Sequence, residues 1–249
     1  MRMRFTVNPY YLLAHSIEKA WGNKPSLRWV KIVQKVQSSP LFIFKSRWET
    51  FAKINSGELL GRAFQKTESA FRVAMRTQEF KRILQETETY CAWVEKEWKQ
   101  KGKYAIQLLK DIAGIKPPST TITVVITHPK LSNGAFIPKE NLIFWGHPEE
   151  WKNYTIVYLC HELLHIFTHK KHSNERIMHA IIELATDNEL RIRLNGKGTY
   201  FHEGKIEVGH PMLRKLEREL LPLWQKYLRG TPGVKDIFDL EKKATRKLG

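Results

Sequence analysis

Cysteines and long apolar runs are both scarce in this sequence. Cys91 and Cys160 are its only two cysteines, which argues against a disulfide framework and favours reduced thiols in the cytoplasm. No apolar run reaches the roughly 20 residues that a membrane-spanning helix requires. Residues 1–9 also lack the apolar segment of a secretory signal. We therefore expect a cytoplasmic protein with no membrane partner.

Acidic residues are scarce relative to basic ones. The chain carries 25 Asp and Glu against 42 Lys and Arg, which gives a formal net charge of +17. A charge of this size favours contact with nucleic acid or another acidic surface. The basic residues are spread along the whole chain, however, and form no run interleaved with aromatic residues. Nucleic acid therefore stays open as a partner, and a merely basic globular protein is the alternative.

The N-terminal part of the chain has the hydrophobic pattern of helices. Asn8-Pro9 is typical of a helix start and predicts a helix through Tyr10–Trp21. A second helix is predicted at Ser26–Gln37. The clearest helical stripe lies in Arg82–Trp98, and a separate short helix is predicted to follow it and to end at Gly114.

The pattern changes at Lys116–Ser119, where two prolines predict a boundary. Thr120–Thr127 is β-branched almost throughout and predicts a strand, while Asn133–Ile137 and Asn141–Trp145 predict a hairpin. We therefore expect an α+β, helix-rich fold with three regions: an N-terminal helical region (1–115), a core (116–230) and a C-terminal basic helix or tail (231–249). Further helices are predicted at 149–169, 174–194 and 213–227.

The segment His161-Glu162-Leu163-Leu164-His165 lies within the first of these later helices. Residues four apart lie on the same face of a helix, so the two imidazoles can bind one metal ion. Glu162 is then placed to act on a metal-bound water rather than to bind the metal. The alternative is a pair of surface histidines on an ordinary helix.

A third ligand must come from elsewhere, because a catalytic zinc usually has three protein ligands. Glu183 lies in an apolar stretch of the next predicted helix, where a carboxylate should be paired or metal-bound. Asp187, one turn later, can accept the second ring N–H of a ligand histidine. His172 or His179 stays open as a third ligand instead of Glu183. His169 would lie about 12 Å along the helix from the first ligand, too far to share one ion.

The pair of motifs, His-Glu-x-x-His followed by Glu-x-x-x-Asp, resembles the gluzincin clan of zinc metallopeptidases, the thermolysin-like group. The resemblance implies a zincin-like catalytic core: a small sheet with an edge-strand hairpin, an active-site helix and a glutamate helix. It also implies one Zn²⁺ ion held by His161, His165 and Glu183. Glu162 would be the general base for peptide hydrolysis, and Asp187 would support a ligand histidine.

The predicted hairpin extends this resemblance, which covers about residues 118–195. Asn133-Gly134-Ala135-Phe136 is similar to the Asn-Ala-Phe edge segment of thermolysin-like enzymes, which implies that Gly134, Ala135 and Phe136 bind the substrate backbone as an added strand. The clan's aminopeptidase signature, Gly-Ala-Met-Glu-Asn, does not occur here. Clan members use a downstream Tyr or His to stabilise the oxyanion, and the candidates are Tyr200, His202 and His210.

These observations predict a zinc-dependent peptidase that acts on peptide or protein substrates. Two alternatives stay open. One is a DNA-associated or regulatory metalloprotease with a role like that of the SprT-type proteases, which act on DNA–protein crosslinks and take a third histidine as ligand. The other is a non-catalytic helical binding module in which the motif is fortuitous.

Overall fold

A small mixed β-sheet packed against helices makes up the part of the chain that the computed structural model describes, residues 1–21, 72–169 and 171–248. The expected α+β class is therefore confirmed. The helix predicted at Ser26–Gln37 lies outside the described residues. Within them, no helix is both long and apolar enough to cross a membrane.

The sheet has four strands in the order β1-β2-β4-β3. β2 pairs in parallel with both β1 and β4, whereas β3 runs antiparallel to β4 and forms one edge of the sheet. The predicted strand and the predicted hairpin are confirmed. The four strands are β1 (Arg2–Val7), β2 (Thr121–Ile126), β3 (Asn133–Ile137) and β4 (Leu142–Gly146).

The sequence predicted a helical N-terminal region, but the structure begins with the strand β1. β1 pairs with β2 over its whole length, from Arg2 opposite Thr121 to Val7 opposite Ile126. α1 (Pro9–Trp21) follows as predicted, and the side chain of Asn8 caps it by accepting a hydrogen bond from the Tyr11 backbone N–H at 3.0 Å. The N-terminal region therefore supplies a strand as well as helices.

α2 is one helix of 36 residues, Gln78–Ala113, where the sequence pattern predicted two. Gly102 lies inside the helix, and the Trp98 ring fills the space where a Cβ would stand, 2.6 Å away at its nearest atom. Salt bridges from Lys99 to Glu95 and from Lys101 to Glu97 span successive turns of the polar stretch between the two predicted helices. The helix ends at Gly114, as predicted, in a left-handed conformation.

The elements after the sheet carry the predicted motifs. α3 (Tyr154–Thr168) contains the two-histidine segment. α4 (Glu175–Glu183) continues without a break into a π-helical segment, Leu184–Leu190, and then into α5 (Arg191–Asn195), so the helix predicted over 174–194 is confirmed apart from its π-helical middle. The remaining elements are β5 (His202–Glu203), β6 (Ile206–Glu207), α6 (Arg214–Leu228) and α7 (Ile237–Leu248).

α3 is buried on nearly all sides. Leu159, Leu163 and Leu164 are fully buried in one apolar core that also includes residues of β2, β4, α2, α4, α6 and α7. Burial of apolar side chains contributes about 25 cal/mol per Å² and is the main force that holds such a helix in place. The polar side chains of α3 are therefore fixed by the packing of their neighbours.

Candidate metal centre

The ring nitrogens of the two motif histidines face each other. His161 Nε2 and His165 Nε2 are 3.0 Å apart, and His161 is 3% exposed. The His165 ring also stacks on Phe136 of β3, with ring centroids 4.5 Å apart. Two nitrogens bound to one tetrahedral zinc ion are roughly 3.3 Å apart, given bonds of about 2.05 Å. The pair is therefore close to the spacing that one metal ion requires.

Asp187 and Thr186 lie on the other side of the His161 ring. Asp187 Oδ2 is 3.2 Å from His161 Nδ1, and Thr186 Oγ1 is 3.3 Å from the same nitrogen. Both residues belong to the π-helical segment and are completely buried. A carboxylate at Nδ1 favours the tautomer that carries its proton there, which leaves the Nε2 lone pair free for a metal. The structure thus brings Asp187 to the histidine that its predicted role requires.

His179 of α4 is the side chain that completes a group with the histidine pair. Ligand atoms of His161, His165 and His179 all lie within 4.8 Å of one another. Glu183, the ligand predicted from the sequence, falls in two other groups, one with His179 and His210 and one with His161 and Asp187. Glu183 Oε1 is 3.6 Å from His179 Nε2. The sequence contains the signal for this proximity, because His179 precedes Glu183 by one helical turn and shares its face.

Glu162 lies between the histidine pair and the edge strand. It is 8% exposed, and a Cβ built on Gly134 of β3 would stand 3.5 Å from Glu162 Oε1. Burial raises the pKa of Glu162 to about 7. A carboxyl group with a pKa near neutrality can both accept and return a proton at physiological pH.

A pocket of about 380 Å³ opens over these groups. One wall is β3, through Gly134, Ala135 and Phe136, which are the residues predicted to bind substrate. The opposite side is formed by polar residues of α3 and α4 and by the loop before α6, including Glu162, His161, His165, His179 and His210. An extended segment lying along β3 would therefore border the same pocket as the histidine pair.

Of the three candidates for oxyanion stabilisation, the structure brings one to the pocket. The His210 ring lies 6.0 Å from that of His161 and 5.2 Å from that of His179, centroid to centroid. Tyr200 is instead held away by Glu189, to which its hydroxyl donates, and by Trp224, whose indole N–H donates to it at 2.9 Å. His202 lies in β5 with its side chain exposed, outside the pocket lining.

The backbone next to His210 contacts Glu183 closely. The His210 N–H donates to Glu183 Oε2 at 3.2 Å, and Gly209 adopts a φ of +84°. A Cβ on Gly209 would stand 2.3 Å from the same oxygen, so only glycine fits here. Sequence reasoning did not identify Gly209, because its role depends on a contact between segments far apart along the chain.

The polar atoms of this cluster fit a bound cation. Among the described residues, His179 Nε2 and Glu183 Oε1 are buried without a hydrogen-bond partner. Buried groups of this kind are costly unless something satisfies them. Burial, with the neighbouring imidazoles of His161 and His210, lowers the pKa of His179 to about 4, so its ring is neutral and can bind a metal. Burial and Asp187 raise the pKa of Glu183. Imidazole with carboxylate is a donor set that suits zinc.

Comparison of the chain with protein-family models, with curated proteins and with solved structures finds no match. The resemblance to the gluzincins therefore stays a prediction that rests on the sequence motifs.

Proposed function

We propose that the chain is a zinc-dependent peptidase that acts in the cytoplasm and has a gluzincin-like core. The observation that carries this proposal is the buried His161–His165 pair, with its Nε2 atoms 3.0 Å apart and Glu162 between it and the edge strand. The relative positions of β3, α3 and α4 support a zincin-like core, because an edge strand, an active-site helix and a glutamate helix all border one pocket. The free thiols of Cys91 and Cys160 suit a reducing compartment.

The metal would be held by His161, His165 and a third ligand from α4. His179 is the third ligand in the arrangement described, and Glu183 is the ligand that the resemblance implies. When bound, zinc supplies a Lewis acid for the scissile carbonyl and lowers the pKa of its water. Asp187 Oδ2, 3.2 Å from His161 Nδ1, would hold this ring so that its Nε2 is directed at the ion.

Substrate binding, proton transfer and oxyanion stabilisation would fall to three different parts of the protein. β3 would bind an extended peptide or protein substrate by backbone hydrogen bonds along its outer edge, which has no partner strand in the described sheet. Glu162 would take a proton from the attacking water and return it to the leaving amine. His210, at the pocket wall, would donate a hydrogen bond to the developing oxyanion.

Replacing the proposed base tests this mechanism. We expect Glu162→Gln to keep the zinc content of the wild type and to lose at least about 100-fold of the rate of peptide hydrolysis, the usual range for general-base removal. Metal analysis and a quenched-fluorescence peptide library measure the two properties. Glu95→Gln is the matched control, since Glu95 is paired with Lys99 on the surface of α2. Wild-type activity in Glu162→Gln would contradict the mechanism.

Zinc-dependent stabilisation separates the peptidase from a non-catalytic binding module. An ion that binds the folded chain raises its stability by RT ln(1 + [zinc]/Kd), which is about 4 kcal/mol at 1,000 times the Kd. We therefore expect a clear rise in Tm when zinc is added to chelator-treated protein. An unchanged Tm, together with no zinc in the purified protein, would favour the binding module.

A DNA-associated metalloprotease is the second candidate function. The proximity of His179 to the histidine pair favours it, because the SprT-type arrangement also has a third histidine, and the +17 charge supplies a reason to bind DNA. This candidate predicts duplex binding that weakens steeply as salt rises. Fluorescence anisotropy with a short labelled duplex measures it, and the absence of binding at low salt would exclude this candidate.

A further inference from the structure

The pocket and the buried side chains beside it include more potential metal ligands than one catalytic ion uses. A catalytic zinc takes about three protein ligands. His161, His165, His179, His210 and Glu183 are all brought into overlapping groups of candidate ligands. A single ion at the histidine pair would leave at least two of these donors unused. The unused donors belong to the group formed by His179, Glu183 and His210.

The spacing within this second group is that of ligands around an ion, and it is too wide for hydrogen bonds. Glu183 Oε1 lies 3.6 Å from His179 Nε2 and 3.6 Å from His210 Nδ1. Hydrogen bonds between nitrogen and oxygen are about 2.7–3.2 Å long. Two atoms bound to one zinc ion at about 2.1 Å are roughly 3.3–3.6 Å apart. A cation between the three side chains would account for all of these distances.

Burial provides an independent indication. Glu183 is fully buried, and among the described residues its Oε1 atom has no hydrogen-bond partner. His179 Nε2 is likewise buried and without one. Both atoms belong to the second group, and leaving buried polar atoms unsatisfied is costly. A divalent cation bound by both groups would remove this cost, whereas an ion at the histidine pair that took only one of them as its third ligand would leave the other unsatisfied.

We propose that the chain binds a second divalent cation at His179, Glu183 and His210, next to the ion at His161 and His165. The proposal rests on the proposed function, because the first ion is the catalytic zinc. A ring nitrogen binds one ion at a time, so His179 would belong to the second site when both are filled. The first ion would then take the Glu183 carboxylate as its third ligand, since Glu183 is also grouped with His161 and a carboxylate has two oxygens to share between the sites. Peptidases with two metal ions about 3.5–4 Å apart form a known mechanistic class, in which both ions contact the reacting groups.

The experiment counts zinc ions per chain. The full-length protein is stripped with a chelator, equilibrated with excess zinc, passed through a desalting column and analysed by atomic emission. We expect two equivalents for the wild type and one for His210→Ala. The His210 side chain is 55% exposed, so its loss should leave the fold intact, which circular dichroism checks. His202→Ala is the matched control, because His202 is exposed and outside the pocket, and it should keep two equivalents.

The outcomes separate this proposal from the proposed function. One equivalent in the wild type, or two in His210→Ala, would overturn the second site and leave the peptidase intact. A loss of one equivalent in His202→Ala would show that the second ion is bound adventitiously at the surface, which also overturns the proposal. If no zinc binds, both proposals fall.

Discussion

Glu241 of α7 holds the start of α4 through the backbone N–H of Asn174, which donates to Glu241 Oε1 at 2.7 Å. The Ser173 hydroxyl donates to the same oxygen at 2.7 Å. Glu241 is 1% exposed, so this contact is sheltered from water. The C-terminal helix therefore fixes the helix that carries His179 and Glu183.

Removing this carboxylate should loosen α4. We expect Glu241→Ala to lower the free energy of unfolding by about 1–3 kcal/mol, the usual cost of leaving buried donors unsatisfied. Urea denaturation measures the change. Lys242→Ala, at the next and exposed position, serves as the control. An unfolding free energy for Glu241→Ala equal to that of Lys242→Ala would mean that the contact does not stabilise α4.

Asp187 should set the metal affinity through His161. Asp187→Asn keeps the shape of the side chain but removes the charge that favours the Nδ1–H tautomer, so we expect zinc to bind about 10–100-fold more weakly. Competition with a fluorescent zinc chelator gives the dissociation constant. Asp111→Asn, on the exposed side of α2, is the control for loss of one charge. If both variants bind zinc equally well, Asp187 has no role in orienting the ligand.

Gly209 should tolerate no side chain. Gly209→Ala combines the cost of a left-handed backbone, about 1–2 kcal/mol, with a clash against Glu183 Oε2 at 2.3 Å. Gly204→Ala is the matched control, because Gly204 has a φ of +61° and nothing within 4 Å of its Cβ position. We expect the Gly209 variant to lose more stability than the control in thermal unfolding, and to bind less zinc. Equal losses of stability would show that the contact with Glu183 is unimportant.

Glu217 should make stability depend on pH. Burial raises the pKa of this completely buried carboxyl group to about 7, although the nearby Arg214 guanidinium opposes the shift. The folded pKa lies above the unfolded value of 4.5. The folded chain therefore holds the proton more tightly, and the resulting stability is present below pH 4.5 and lost as pH rises through 7.

Glu217→Gln should remove this contribution. We expect the wild type to lose stability relative to the variant as the pH is raised from 5 to 8. The difference in their unfolding free energies should decrease by at most a few kcal/mol, since one pKa unit corresponds to about 1.4 kcal/mol. Urea denaturation at both pH values gives the comparison. A difference that stays constant with pH would contradict the raised pKa of Glu217.

Local patterns in the sequence were sufficient for several elements of the fold. The β-branched run at Thr120–Thr127 predicted β2, and the turn residues around Pro138 predicted the β3–β4 hairpin. The apolar residues around His161 and His165 predicted a helix packed against the core with both rings on one face, and the structure shows such a helix. In each case the pattern and the packing favour the same local structure.

The remaining features depend on contacts that a local pattern does not contain. β1 is a short alternating segment that becomes a strand only because β2 lies beside it. The π-helical turn after Glu183 is wider than an α-helical one, so the angles between its side chains differ from those that α-helical spacing predicts. α-Helical spacing therefore does not give the position of Asp187 relative to Glu183. The sequence favoured Glu183 over His179 as the third ligand, because it does not show the grouping of His179 with the histidine pair.

The pairing of β1 with β2 has a consequence for how the chain folds. Arg4 donates to Thr123, 119 positions later, so this half of the sheet forms only after a very long loop has closed. Closure of long loops slows folding, and during synthesis β1 must wait until β2 has left the ribosome. The entropy of closure grows only with the logarithm of loop length, however. Evolution could therefore lengthen or shorten the intervening chain at little thermodynamic cost while the sheet beside α3 stayed the same.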